Sequence, residues 1–143
     1  MKKLLSILSI CLVFVSCSPD RVLYDELTER GTDDKPTMYF EGKPFTGVAF
    51  DIWEDGQLHY EVTYKDGYLD GLGQNWYKNG QLQYEGTFKD GKKDGLHQEW
   101  YKNGQLHYEG TFKDGKKDGL HQEWYENGQL KEERTYNDGA LIN

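Results

Sequence analysis

Cysteine and serine are scarce in this 143-residue sequence, and their absence from most of it excludes two kinds of catalytic site. They occur only near the N-terminus, at Ser6, Ser9, Cys11, Ser16, Cys17 and Ser18. No residue beyond position 18 can therefore supply a serine or cysteine nucleophile. No disulfide can form within the chain that follows Cys17.

Basic and apolar residues are too few for several further classes of protein. Lys and Arg number 17 against 25 Asp and Glu, so the formal net charge is −8. Because nucleic-acid binding depends on Lys and Arg, this balance predicts no nucleic-acid partner. Apolar residues make up only 36% of the chain, whereas aromatic residues make up 15% and glycine contributes 17 residues. This composition favours strands and tight turns over packed helices.

The longest apolar run predicts export rather than a transmembrane helix. Two lysines precede residues 4–15, a largely apolar run of about 12 residues, and a spanning helix needs about 20. We therefore assign residues 1–16 to a signal peptide. Ser16 before Cys17 resembles the lipobox of bacterial lipoproteins, which implies cleavage before Cys17 and lipid on its sulfur. Phe14 stands where that motif usually has Leu, and ordinary secretion is the alternative.

The segment from Cys17 to residue 36 is predicted to be a linker. It is rich in charge, and it contains two of the three prolines of the chain. We expect a short helical turn around residues 23–29 within it. Lipid on Cys17 would anchor the protein in the bacterial cell envelope, where we place it at the outer membrane, and the linker would give the folded domain reach.

A repeat with a period of 24 residues covers most of the remaining chain, residues 37–143. Residues 70–93 read DGLGQNWYKNGQLQYEGTFKDGKK, and residues 94–117 match them at 21 of 24 positions. Residues 118–141 keep 16 of 24, and residues 46–69 form a looser copy in the same register. Each unit has an Asn-Gly or Asp-Gly pair after its first strand and an Asp-Gly pair after its second. Each unit is therefore predicted to be a β-hairpin.

The numbering of the bulky residues predicts which face of the sheet they occupy. In residues 70–117, ten of the twelve large apolar side chains stand at even positions. They share one face only if every turn has an odd number of loop residues. Three-residue loops with glycine in the left-handed region meet this condition at both turns, Lys102 to Gly104 and Lys113 to Gly115. Trp100 then pairs with Leu106, and Gln98 pairs with Tyr108.

The predicted fold is all-β: a single-layer antiparallel meander of repeated hairpins with about nine strands. The repeated motif W-Y-x-N-G-Q-L-x-x-E-G-T-F-K-D-G resembles the MORN-repeat variant of bacterial proteins. That resemblance implies an array of β-hairpins. Many bacterial members carry an antitoxin label, and eukaryotic relatives are linked to membranes and scaffolding. Neither role has a residue signature that can be transferred to this chain.

Histidines are the one local concentration of residues that could hold a metal ion. In the predicted register, His107 lies between Glu99 and His121 on the polar face of the sheet. Cross-strand neighbours are about 5 Å apart, which is within reach of a shared divalent ion. Gln83 and Lys131 replace His107 in the flanking copies, so an exposed polar row is the preferred interpretation. We predict no metal site and no cofactor.

The sequence favours a non-enzymatic, lipid-anchored envelope protein whose sheet serves as a platform for a protein partner. The residues that we expect to contact the partner are Tyr77, Tyr101 and Tyr125, because aromatic side chains supply rigid contact area. An antitoxin or immunity protein is the second hypothesis, implied by the family label alone. Glycan binding by an exposed aromatic row is the third.

Overall fold

The computed structural model describes residues 20–32 and 35–142, which form two β-sheets. The predicted signal peptide and Cys17 lie outside these residues. Within the described ranges, no helix has the length and apolar character needed to cross a bilayer. The strands are β1 (Arg21–Leu23), β2 (Thr28–Thr32), β3 (Lys35–Phe40), β4 (Lys43–Pro44), β5 (Gly47–Ile52), β6 (Leu58–Lys65), β7 (Tyr68–Trp76), β8 (Leu82–Lys89), β9 (Lys92–Trp100), β10 (Leu106–Lys113), β11 (Lys116–Trp124), β12 (Leu130–Asn137) and β13 (Ala140–Leu141).

The large sheet is a long antiparallel meander, as predicted. Strands β5 to β13 follow one another in space in the order of the chain, so nine consecutive strands are joined by hairpins. Each pair is antiparallel. The short strand β1 extends this sheet by pairing in parallel with β5. The all-β meander of repeated hairpins is therefore confirmed.

The segment predicted to be a linker, residues 17–36, contains β1, a 3-10 turn and β2 in its described part. Strands β2, β3 and β4 form a small three-stranded sheet, and a 3-10 turn at Tyr24–Glu26 falls within the helical turn expected there. The main apolar core lies where this small sheet meets the first strands of the meander. Its buried members are Val22, Met38, Phe45, Ala49 and Tyr64. The structured part of the segment is thus folded against the repeat domain from residue 20 onward.

The turns after the first strand of each unit have the predicted three-residue geometry. The amide of Gly104 donates to the Tyr101 carbonyl at 2.9 Å, and the amide of Tyr101 donates to the Gln105 carbonyl at 2.9 Å. Gly104 has a φ of +84°, in the left-handed region that glycine adopts without strain. This is a type I turn closed by a glycine bulge.

The Asp-Gly turns after the second strand are shorter than predicted. Lys113 pairs directly with Lys116, so the loop contains only Asp114 and Gly115. Both have positive φ values, +50° and +85°. That combination defines a type I′ turn, whose twist matches that of the flanking strands. The prediction of three-residue loops at both turns is therefore wrong for the Asp-Gly turns.

A β-bulge in each unit divides the bulky residues between two faces. Leu106 pairs with Trp100, but Tyr108 pairs with Glu99, so His107 and Tyr108 together oppose one residue. Cross-strand partners share a face and successive residues alternate. Trp100 and Tyr108 therefore lie on opposite faces, and the predicted pairing of Gln98 with Tyr108 is wrong. The expectation that all even-numbered bulky residues share one face is wrong for the same reason.

The two faces have different compositions throughout the repeats. We call one the Leu/Trp face, formed by Leu72, Trp76, Leu82, Leu96, Trp100, Leu106, Leu120, Trp124 and Leu130. We call the other the Tyr/Phe face, formed by Tyr84, Phe88, His97, Tyr108, Phe112, His121 and Tyr136. The small sheet packs against the Tyr/Phe face at its N-terminal end, where Tyr64 belongs to the core.

Candidate binding surface

The Leu/Trp face carries apolar side chains that remain partly exposed. Leu72, Leu96 and Leu120 occupy equivalent positions in three units, with 42%, 45% and 46% of their surface exposed. A second row pairs each Trp with a Leu across the strands, as Trp100 pairs with Leu106. Equivalent residues are two strands apart, which is roughly 9.6 Å. An exposed apolar surface of this regularity is typical of an interaction site.

A row of polar pairs separates the two apolar rows. The side-chain amide of Gln98 donates to Glu109 at 2.6 Å, and the same bond joins Gln74 to Glu85 and Gln122 to Glu133. Each bond joins cross-strand partners on the Leu/Trp face. The amide orients the carboxylate and leaves its negative charge in place. The face therefore combines apolar rows with a line of fixed acidic groups.

The Tyr/Phe face buries two histidines that the sequence analysis placed elsewhere or overlooked. His97 has 0% of its surface exposed, and His121 has 4%. Nε2 of His97 lies 2.8 Å from the carbonyl of Thr87, and Nδ1 lies 2.6 Å from the hydroxyl of Tyr84. Because a carbonyl only accepts, Nε2 carries the proton and Nδ1 accepts from the tyrosine. In the neutral ring, both nitrogens of His97 are therefore hydrogen-bonded.

Burial lowers the pKa of the two histidines and raises the pKa of their tyrosine partners. Removal from water lowers the pKa of both His97 and His121 below the ordinary value of 6.5, and Lys93 lowers that of His97 further. The hydrogen bonds from Nε2 to carbonyl oxygens act in the other direction but do not cancel this effect. Burial raises the pKa of Tyr84 and Tyr108 to about 12. All four side chains are therefore uncharged at neutral pH.

The histidine rings join the aromatic residues of successive units. The His97 ring lies edge-on between Phe88 and Phe112, with ring centroids 5.4 and 4.9 Å away. The His121 ring lies in the same way between Phe112 and Tyr136, at 5.2 and 5.0 Å. Edge-to-face contacts at these distances are favourable. The rings form one continuous stack along the Tyr/Phe face.

Two glycines, Gly86 and Gly110, make room for the histidine rings. A Cβ atom on either glycine would lie 2.2 Å from Nδ1 of the facing histidine, far inside van der Waals contact. The first unit reverses the arrangement, because Val62 faces Gly73 there. One member of each of these three pairs between neighbouring units is glycine. These positions are therefore governed by packing.

The predicted histidine row is only partly present. His107 contacts Glu99, with Nδ1 and the carboxylate 3.7 Å apart. His121, however, faces Gly110 and is buried, so the expectation that it lies beside His107 on an exposed polar face is wrong. Among the described residues, no group of three or more His, Cys, Asp or Glu side chains could hold a metal ion.

The regular spacing of hairpins agrees with a known type of repeat. The MORN repeat variant matches residues 45–66, 69–90, 93–114 and 117–138. Those four matches cover more than half of the sequence. The chain belongs to the MORN repeat variant family. Each MORN unit supplies one hairpin of the meander. Its Asn-Gly or Asp-Gly turn lies at one end of the strands, and the type I′ turn that follows lies at the other end.

Two solved structures are similar to part of the fold. A mutant of S. aureus TarM, in complex with Fondaparinux, alpha-GlcNAc-glycerol and UDP, is 7% identical with a TM-score of 0.37, and the match covers 82% of this chain and 21% of that one. The GtfA/B complex bound to UDP and GlcNAc is 11% identical with a TM-score of 0.31, covering 73% and 23%. This chain thus spans about a fifth of their length, and the low TM-scores support no functional conclusion. The search of curated proteins finds no match.

Two of the three tyrosines predicted to bind a partner lie where successive MORN units meet. The hydroxyl of Tyr77 donates to the Trp100 carbonyl at 2.8 Å, and that of Tyr101 donates to the Trp124 carbonyl at 2.9 Å. Tyr125 belongs to the last unit and is 51% exposed. Tyr77 and Tyr101 thus tie neighbouring units together, and a role of the three in binding stays a prediction.

The turns themselves are also joined from unit to unit. The side-chain amide of Asn79 donates to the Lys102 carbonyl, and that of Asn103 donates to the Glu126 carbonyl, both at 3.1 Å. At the opposite end of the strands, the amide of Gly115 donates to the Lys93 carbonyl at 2.8 Å. These bonds hold the array as one body. They keep the rows of the Leu/Trp face in register.

Proposed function

We propose that this chain is a non-enzymatic MORN repeat protein that binds a protein partner through its Leu/Trp face. The observation that carries the proposal is the exposure of Leu72, Leu96 and Leu120 on a face that no other described element covers. Exposing such rows to water is unfavourable, and covering them lowers the free energy by about 25 cal/mol for each Å² of apolar surface removed from water. The same rows would contribute little to a catalytic site, because equivalent residues recur in every unit.

The charge of the Leu/Trp face defines the chemistry of the partner. Glu85, Glu109 and Glu133 form a line of carboxylates between the two apolar rows, and each is oriented by a glutamine. A complementary surface presents Lys or Arg at about the same spacing, flanked by apolar side chains. The net charge of −8 would speed the association of a basic partner. We therefore propose a partner with a basic and apolar surface.

Lipid on Cys17 would hold this binding face at a membrane of the bacterial envelope. Cys17 lies outside the described residues, and the support for this part of the proposal is the leader sequence alone. In bacteria that express the chain, Cys17→Ala is expected to abolish labelling by radioactive palmitate and to release the protein from the membrane fraction. Retention of both label and membrane association in that variant would contradict lipid attachment at Cys17.

Site-specific crosslinking tests the binding face. A photocrosslinking amino acid placed at Leu96 should capture one discrete protein in intact cells, whereas the same amino acid at Gln83 should not. Gln83 is exposed on the opposite face, in the bulge of its unit. The captured protein, once purified, should bind the wild-type chain and lose affinity for Leu120→Lys but not for Gln83→Lys. Equal capture at both positions would contradict the proposal, and capture of a toxin would support the antitoxin hypothesis instead.

A further inference from the structure

A cavity lies between the small sheet and the meander, away from the Leu/Trp face. Its volume is about 640 Å³, which is within the range of sites that hold small molecules. One wall comes from Met38 and Pro36 of β3 and the other from Tyr64 and Leu69 of the meander. The turn between β8 and β9 closes one end with Asp90 and Gly91.

Backbone hydrogen bonds fix the walls of this cavity relative to each other. The amide of Met38 donates to the Gly67 carbonyl at 2.8 Å, and the amide of Gly67 donates to the Phe45 carbonyl at 2.7 Å. The amide of Gly91 donates to the Leu69 carbonyl at 2.8 Å. Both sides of the cavity are therefore attached to the same sheet. A preformed cavity loses little entropy when it binds a ligand.

Three tyrosines give the cavity an aromatic lining with polar tips. Tyr24 and Tyr68 line it together with Tyr64, of which only 7% is exposed. Burial, with the neighbouring Tyr24, raises the pKa of Tyr64, so its hydroxyl stays neutral. Tyrosine rings attract cations through the negative potential of their faces. The lining is thus suited to a positively charged group on an apolar body.

The charged groups at the rim favour a cation as well. Glu29 and Asp90 line the cavity, and neither forms an ion pair with any residue in the described ranges. Lys92 is the one cation among the lining residues that the structure describes. Its stem runs along Gly115 of the next turn, with Cβ, Cγ and Cδ all within 4 Å of a Cβ placed there. The stem therefore lies between the cavity and the Asp-Gly turn of the following unit.

We propose that this cavity binds a small, free organic cation, a quaternary ammonium or an amine with an apolar substituent. The cationic group lies among the tyrosine rings, close to Glu29 and Asp90, and the apolar part packs on Met38 and Leu69. Desolvated cation–π contacts and the two carboxylates supply the affinity.

The test uses phenyltrimethylammonium and the full chain, held in nanodiscs of phosphatidylglycerol so that no amine headgroup is present. The cation should produce saturable NMR shifts of the Leu69 and Gly91 amides. Neutral tert-butylbenzene, which has the same shape, should bind about tenfold more weakly, and benzoate should not bind. Glu29→Gln and Asp90→Asn should each weaken binding about fivefold. Asp114→Asn is the matched control, one unit further along, and should leave the affinity unchanged.

Several outcomes would overturn the proposal. They are equal binding of tert-butylbenzene, an equal effect of Asp114→Asn, or no saturable shift at Gly91 with the cation. Shifts at Gly91 in phosphatidylcholine nanodiscs without added cation would show a lipid headgroup in place of a free ligand. The protein-binding proposal is tested separately, because crosslinking at Leu96 depends on the other face of the sheet.

Discussion

The hydroxyl of Tyr108 donates a hydrogen bond of 2.5 Å to Nδ1 of His121. Nε2 of the same ring donates to the Thr111 carbonyl at 2.8 Å. Protonation of Nδ1 would reverse the bond to Tyr108, because the ring would then donate to the hydroxyl oxygen, and it would place a positive charge in a buried site. His97 has the same arrangement one unit earlier, with Tyr84 and Thr87. Burial therefore favours the neutral form of both histidines.

The first prediction concerns pH. The pKa of His97 and His121 is lowered in the folded chain, mainly by burial, so the folded state binds fewer protons than the unfolded state just below pH 6.5. The stabilisation is complete above pH 6.5 and is lost as the pH falls through the folded-state pKa. We expect the free energy of unfolding, measured with urea, to decrease between about pH 7 and pH 5. The double variant His97→Gln, His121→Gln should show a shallower decrease, whereas His107→Gln should match the wild type.

The second prediction concerns the small residue that faces each histidine. Gly110→Ala should lower the free energy of unfolding by about 1–3 kcal/mol, because the new methyl group would overlap the His121 ring. The double variant Gly110→Val, His121→Gly reproduces the Val62 and Gly73 pair of the first unit. It should recover part of the stability lost in Gly110→Ala. If Gly110→Ala is as stable as the wild type, the ring does not lie over that glycine.

The third prediction separates structural tyrosines from a tyrosine that is free to bind. Tyr77→Phe and Tyr101→Phe each remove a hydroxyl bond to the next unit, so each should cost about 0.5–1.5 kcal/mol in the free energy of unfolding. Tyr125→Phe, at the equivalent position of the last unit, should leave stability unchanged. Urea unfolding of the three variants checks this. Equal losses in all three would rule out the inter-unit bonds as the cause.

The fourth prediction concerns the contact between the small sheet and the meander. Gly67 and Gly91 both have positive φ values in Asp-Gly turns, +85° and +82°. A Cβ on Gly67 would lie 2.4 Å from the Thr37 side chain, whereas one on Gly91 would meet nothing within 4 Å. Gly67→Ala should therefore be more destabilising than Gly91→Ala by about 1–3 kcal/mol. Hydrogen exchange should locate the additional effect in β3, and equal losses would contradict the close approach.

The sequence alone was sufficient to predict the parts of the fold that depend on residues close together in the chain. The Asn-Gly turns and the order of the hairpins follow from glycine placement and the 24-residue period. The Asp-Gly turns were predicted too long because a parity count assumes unbroken strands. The bulge at His107 shifts parity by one residue within β10, so Leu106 and Tyr108 keep even numbers while facing opposite sides.

Other features depend on contacts that a single strand does not reveal. His97 and His121 resemble exposed polar residues in the sequence, since a glutamine and a glutamate follow each of them along its strand. The sequence does contain one sign that these histidines are packed. Where one strand has a large residue, the facing position is glycine, as in Val62 with Gly73 and His97 with Gly86. Strands β1 and β4 have only three and two residues, and β2 lies in the segment predicted to be a linker, so the local sequence did not reveal these three strands.

Aromatic NOEs test the division of the sheet into two faces most directly. The account predicts NOEs from the His97 ring to the rings of Phe88 and Phe112, whose centroids are 5.4 and 4.9 Å away. It also predicts no NOE between the Trp100 indole and the Tyr108 ring. A Trp100 to Tyr108 NOE without the contacts between His97 and Phe112 would contradict the two faces, and with them the proposed binding surface.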